Sequence, residues 1–183
     1  MVILTSGTTG QPNGAARRSD SGAIEGIAAV LERIPFRPGD TQVVAAPLFH
    51  GWGLTNLLLG VGRCCTNVLS RRFDAEATLR ATSEHRAQVL VVVPVMLSRI
   101  LALDPEVLVA APTSDLRVIA SSGSALGSRL ATAVLERFGP VLYNLYGSTE
   151  VAVATIAIPS DLLEAPSTAG RVAFGVRVEI LDN

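Results

Sequence analysis

An α/β fold, a mostly parallel sheet flanked by helices, is what this 183-residue sequence predicts. Three observations predict it. Apolar periodicity switches repeatedly between a strand type and a helix type. Segments of the two types alternate, strand then helix, which is the pattern of parallel strands joined by helical crossovers. The composition also supplies a core, with 49% apolar and only 17% charged residues, which excludes a disordered chain. The length suits one domain or a large piece of one.

The elements follow in order. VILT, Val2 to Thr5, reads as a strand that runs into a Gly-rich loop ending at Gly14. Ile24, Ile27, Ala28, Leu31 and Ile34 are spaced as one face of a helix, with Ser19, Asp20 and Ser21 as N-caps. RPGD, Arg37 to Asp40, reads as a turn, and QVVAA follows as a strand. A helix over Trp52 to Val61 precedes the strand TNVL, Thr66 to Leu69. Asp74 caps a helix from Ala75 to His85. Gln88 to Val93 is a buried-type strand, and Pro94 fits the first turn of the next helix. Leu116 to Ser121 is a strand, and the helix from Ser128 to Phe138 stops at Gly139. VLYNLYG, Val141 to Gly147, is a strand that runs into a loop. Phe174 to Asp182 alternates apolar and polar residues and reads as a strand with one solvated face. EAPSTAG, Glu164 to Gly170, is the best candidate for a break between subdomains.

Charge and cysteine usage exclude several classes. The net charge is -1 with no block of like charge, so no nucleic-acid partner is expected. All 15 basic residues are arginines, so no step that needs an ammonium can be performed by this chain. Cys64 and Cys65 are adjacent, which suits neither a disulfide framework nor a zinc site. They read as small apolar residues in a reducing compartment, the cytoplasm. No signal peptide precedes the first strand, and the longest apolar runs are too short to span a bilayer.

Three loops directly after predicted strands carry the chemistry. They are TSGTTGQPNG (Thr5 to Gly14), SSGSAL (Ser121 to Leu126) and YGSTE (Tyr146 to Glu150). Ligands of open parallel sheets sit beyond the carboxyl ends of the strands, so the three can share one site. Gly7, Gly10 and Gly14 let backbone amides approach an anion, and Thr5, Ser6, Thr8 and Thr9 add hydroxyl donors. The pattern is not the lysine-bearing P-loop, because Asn13 and Ala15 stand where its Lys and hydroxyl residue would be. Tyr146 supplies a flat face for a base, Thr149 a hydroxyl for a phosphate oxygen, and Glu150 a carboxylate for Mg2+.

These residues resemble the adenylate-forming enzymes. TSGTTGQPNG resembles their phosphate loop, and YGSTE resembles their YG-x-TE motif. SSGSAL is similar to the adenine-side loop, and PLFHGWGL, Pro47 to Leu54, is similar to a segment of the acyl-CoA synthetases. GRVAFGVRVEILD resembles a Gly- and Pro-rich strand region but lacks its prolines. The resemblance implies an enzyme that joins a carboxylic acid to ATP and passes the acyl group from the adenylate to coenzyme A. It implies that Thr5 to Gly14 hold the β- and γ-phosphates, and that Gly123, Ser124 and Ala125 border adenine. Asn144 and Gly147 belong to the same nucleotide set, Tyr146 stacks on the base, and Thr149 contacts the α-phosphate. Glu150 ligates Mg2+, which with Thr149 makes up the catalytic pair. His50 and Trp52 would line the acyl entrance. FHGWG offers no Asp to neutralise a substrate ammonium, so a plain fatty acid, long-chain by the resemblance, is the expected substrate.

The sequence also departs from that family. Asn13 replaces a lysine, which should weaken phosphate recognition without abolishing it. Members are about three times longer than this chain. The resemblance therefore implies that residues 1–183 are a central part of the N-terminal adenylation domain, inactive alone, without the small C-terminal domain that brings a catalytic lysine. Surfaces laid bare in this way favour self-association. Two alternatives remain. One is a degenerate, non-catalytic nucleotide- or acyl-binding module, and the other is a P-loop NTPase.

Overall fold

The computed structural model describes residues 2–6, 12–16, 21–148 and 153–181, with the stretches up to residue 25 described through their backbone. Strands β1 (Val2–Ser6) and β2 (Pro12–Ala16) pair antiparallel as a two-stranded sheet of their own, with Thr5 opposite Asn13. The second strand corrects the sequence reading, which ran the loop on to Gly14 and straight toward a helix. PNGAA has no β-branched or aromatic residue and begins with proline, so side-chain preference concealed a strand that backbone pairing creates.

The main sheet has seven strands. They are β3 (Thr41–Val44), β4 (Thr66–Leu69), β5 (Val89–Val92), β6 (Val118–Ser122), β7 (Leu142–Tyr146), β8 (Thr155–Ala157) and β9 (Arg171–Val172). Their order is β4-β3-β5-β6-β7-β8-β9. The first five are parallel, and β8 and β9 each run antiparallel to the strand before them. Helices α1 (Ser21–Arg33), α2 (Gly51–Gly62), α3 (Ala75–Glu84), α4 (Pro94–Leu101), α5 (Pro105–Ala110), α6 (Ser128–Phe138) and α7 (Pro159–Glu164) connect them. Segment Glu164 to Gly170 links α7 to β9 within this one sheet.

Two cores fill the two faces. Val43, Leu90, Val92, Ile119 and Leu142 pack with Leu79 of α3, Leu97 of α4 and Val134 of α6. The alternate strand residues Val44, Val89, Val91, Val118 and Ala120 pack with Ala29 and Val30 of α1 and Trp52 of α2. This explains why β5 is buried at all four positions: helices cover both of its sides. Local signals act as expected. The Asp74 carboxylate accepts from the Ala77 N–H at 2.8 Å, Pro94 opens α4, and Gly139 ends α6 at φ +79°. At the opposite end of the sheet from the strand C-termini, Arg117 Nη2 pairs with buried Asp40 Oδ1 at 2.6 Å and ties the RPGD turn to β6.

Three expectations are corrected. Helix α1 buries Ala29 and Val30, and Ile34 just beyond its end is buried as expected, while Ile27 and Leu31 stay exposed. The helix is apolar on more than one side, so its own pattern does not fix which side meets the sheet. Phe174 to Leu181 forms no strand, and Ile180 is 95% exposed. An alternating pattern becomes a strand only beside a partner, and no described strand lies next to this segment. Cys64 is exposed, with φ +56° in the turn after α2, where an apolar packing residue was expected.

Candidate functional site

Helix α2, which follows β3, and α4, which follows β5, pack on opposite faces of the sheet. The chain therefore leaves these neighbouring strands in opposite directions. That arrangement opens a crevice at their carboxyl ends, the usual ligand position in such sheets. The β6–α6 loop lies against the same crevice. A Cβ on Gly123 would stand 3.4 Å from Val93 Cγ1 and 3.5 Å from His50 Cε1, so three connections meet there. Gly123 has φ +98°, which explains why that turn carries glycine.

His50 is the N-cap of α2, and its Nδ1 accepts the Trp52 N–H at 3.3 Å. In the neutral ring this puts the proton on Nε2, so the ring edge at Gly123 offers a donor. Trp52 is placed differently from the expectation. It is buried, and its indole N–H donates to Val92 O at 3.1 Å. It anchors α2 to β5 and does not stand at an open entrance.

Strands β6 and β7 bring the other two described motifs side by side, with Ser121 opposite Asn144 and Ser122 opposite Leu145. Asn144 is buried, and its Oδ1 has no hydrogen-bond partner. Tyr146 ends β7 with its side chain 61% exposed, followed by Gly147. On the other face of β7, burial pushes the Tyr143 phenol up, against the opposing effect of the Arg117 charge. Ser124 and Ala125 are exposed and line a shallow cleft of about 520 Å³ between the first turns of α4 and α6.

The remaining expected residues divide in two. Thr5, Ser6 and Gly14 lie on β1 and β2, in a two-stranded sheet that is not hydrogen-bonded to the main sheet. Gly7, Thr8, Thr9, Gly10, Thr149 and Glu150 lie outside the described residues. Among the described residues, no group of three His, Cys, Asp or Glu could hold a metal ion. No helix among them is long and apolar enough to cross a membrane. The sequence reading missed Val93. Only the change of face between α2 and α4 marks the crevice, and that change is not visible in a local pattern.

An exposed aromatic face, a positive-φ glycine backbone and a buried free acceptor together suit a planar, hydrogen-bonding ring such as a nucleobase. Comparison with known proteins agrees. The family described as AMP-binding enzyme matches residues 1–183. The chain is 31% identical, over 99% of its length, to the 2-succinylbenzoate–CoA ligase of Bacillus pumilus and covers 36% of that protein. It is 32% identical, over 94% of its length, to the indoleacetate–CoA ligase of Aromatoleum aromaticum and covers 34% of it. Among solved structures, it matches the amide bond synthetase of Marinactinospora thermotolerans with a TM-score of 0.84 at 30% identity, over 100% of this chain and 36% of that one. It matches the O-succinylbenzoate coenzyme A synthetase of Bacillus subtilis, solved with ATP and magnesium ion, with a TM-score of 0.81 at 25% identity, over 100% of this chain and 37% of that one. The chain thus spans about a third of the length of these relatives. It belongs to the AMP-binding enzymes, the adenylate-forming family that its first and last motifs resemble.

Proposed function

We propose that this chain is the nucleotide-binding part of an ATP-dependent acid–thiol ligase, which activates a carboxylic acid as its adenylate and transfers the acyl group to coenzyme A. The observation that carries the reading is the meeting of His50, Val93 and Gly123 at the carboxyl ends of the strands, beside Asn144 and Tyr146. In this reading Gly123, Ser124 and Ala125 border the adenine, Asn144 accepts from its edge, and Tyr146 covers its face. Gly147 gives the chain room to turn toward Thr149, which donates to the α-phosphate. The β1–β2 hairpin and its connection, Thr5 to Gly14, hold the outer phosphates through backbone amides and hydroxyls. Glu150 is the one proposed protein ligand of Mg2+, and phosphate oxygens and water complete the shell, as is usual for this ion. The ion would offset charge as the carboxylate attacks phosphorus. His50 would present its Nε2 proton to the acid's carboxylate.

The sequence pointed to a fatty acid. The relatives named above are ligases of 2-succinylbenzoate and indoleacetate, both aromatic acids, and this supports an aryl carboxylic acid instead. We place residues 1–183 in the N-terminal adenylation domain of a longer cytoplasmic protein, consistent with the length of those relatives. The test is ATP–pyrophosphate exchange by the full-length protein with aryl, arylacetic and straight-chain acids. Exchange that depends on an aromatic acid is expected. Exchange only with straight-chain acids would restore the fatty-acid reading, and none with any acid would favour a non-catalytic binding module.

A further inference from the structure

One segment of the chain has the pattern of a strand and pairs with nothing. A turn follows β9, with the Val176 N–H donating to Ala173 O at 3.2 Å and Gly175 at φ +76°. The next residues, Val176 to Leu181, read VRVEIL. They alternate apolar and charged side chains, as a strand with two unlike sides does. Among the described residues, no backbone hydrogen bond reaches Arg177 to Leu181. Val176 is half-buried against the core that contains Ala173, while Val178 and Ile180 are 49% and 95% exposed. Arg177 and Glu179 form an ion pair with each other, which keeps both charges on one side of the segment. An open strand of this kind is a template for pairing with another chain.

We propose that this segment forms a symmetric antiparallel strand pair with the same segment of a second copy of the chain. The order of its charges selects that partner. Two copies laid antiparallel about Val178 set Arg177 of each opposite Glu179 of the other. Val178 then meets its own counterpart, and Val176 meets Ile180. Apolar side chains gather on one side of the ribbon and two ion pairs on the other. Other arrangements lose this match. A parallel pair in register sets like charges side by side. An antiparallel slip of two residues puts Arg177 opposite Arg177 or Glu179 opposite Glu179, and a slip of one opposes charged residues to apolar ones. Ile180 of each copy covers the half-buried Val176 of the other, at the margin of its core. The contact uses the same patch on both copies, so it closes at a dimer. A lone two-stranded ribbon is marginal in water, so this dimer is a weak one that forms at high concentration.

Sedimentation equilibrium of the 183-residue chain tests this with Glu179→Arg, Arg177→Glu and the two combined. The Arg177 and Glu179 side chains are 88% and 54% exposed, so none of these changes should disturb the fold. Each single change sets like charges opposite each other, twice by symmetry. It should raise the dissociation constant of the dimer by about tenfold or more. The combined change exchanges the charges and rebuilds both pairs, so the constant should return to within about threefold of the unaltered chain's. Association that the single changes leave alone overturns the proposal and moves the contact elsewhere, such as to the exposed Leu58 and Val61 of α2. A loss that the combined change does not restore also overturns it, and so does an unaltered chain that stays monomeric at the highest concentration reached.

Discussion

Asp161 shows how one side chain joins two elements. Its Oδ2 accepts the Ile158 N–H at 3.2 Å at the start of α7, and its Oδ1 meets Arg171 Nε of β9 at 3.0 Å. Burial acts to raise this carboxyl. The Ile158 N–H, the Arg171 guanidinium and the more distant Arg33 charge together outweigh burial and hold it below the ordinary range. A carboxyl lowered on folding adds stability above its unfolded value, and that share is lost as pH falls below about 4. Asp161→Ala should therefore cost about 1–2 kcal/mol at neutral pH, with the gap to the unaltered chain narrowing at about pH 3. Urea denaturation at both pH values measures this, and an equal gap would exclude a role for ionisation. Gly53 makes a steric demand of a different kind. A Cβ there would fall 2.4 Å from Pro47 O and 2.6 Å from Ala46 O. Both atoms are backbone of the segment that carries His50, so neither yields cheaply. Gly53→Ala should destabilise by about 3 kcal/mol, the upper range for overpacking. A melting temperature equal to that of the unaltered chain would show that this segment gives way freely.

Among the elements, α2 depends most on polar contacts. Gln42 of β3 is fully buried, and its Nε2 donates to Asn56 O at 2.9 Å and to Asn67 Oδ1 of β4 at 2.6 Å. Its Oε1 accepts from Arg63 Nη2 at 3.2 Å, and the same guanidinium lies 4.5 Å over the Phe36 ring. Asn56 continues the chain of contacts to Trp52 O at 2.9 Å, two residues from His50. Gly60 leaves the space, since a Cβ there would lie 2.2 Å from Gln42 Nε2. Gln42→Leu keeps most of the volume but leaves Asn67 and Arg63 short of partners, at a cost of about 2–4 kcal/mol. The loss should be local. Hydrogen exchange should speed up more for amides of α2 than for those of α6, because the contacts removed hold α2 and β4 to β3 and none reaches α6. Equal acceleration in both helices would mean that the sheet, not α2, depends on Gln42.

The whole molecule leaves apolar surface uncovered. Leu58 and Val61 of α2 are 61% and 62% exposed, and Ile27 and Leu31 of α1 are exposed over the same face of the sheet. Phe49, Ile180 and Leu181 are exposed as well. Exposed apolar area of this kind favours association. Sedimentation velocity of the 183-residue chain is expected to show a dimer or larger species, and a clean monomer at high concentration would refute this. A chain without lysine that spans about a third of its relatives is also expected to be inert alone. Acid-dependent pyrophosphate release by it, above the no-enzyme blank, would overturn that expectation.

The sequence by itself determined the local events and the family. The Asp74 cap, Pro94 at the start of α4 and Gly139 at the end of α6 depend on residues within a turn or two of one another. Their physics is short-range and is written in the local pattern. The two end motifs were legible for the same reason, because each is a contiguous stretch of sequence. Tertiary structure decided the rest. Strand β2 exists through its partner β1, and β8 is three residues that pair with β7. Which side of α1 is buried depends on the sheet beneath it, and Phe174 to Leu181 lacks the neighbour that would make it a strand. The contact of His50 with Gly123 and the pairing of Ser121 with Asn144 follow from strand order and from the change of face between α2 and α4. These are long-range choices in which burial on two faces of one sheet outweighs local preference, so no single stretch of sequence encodes them.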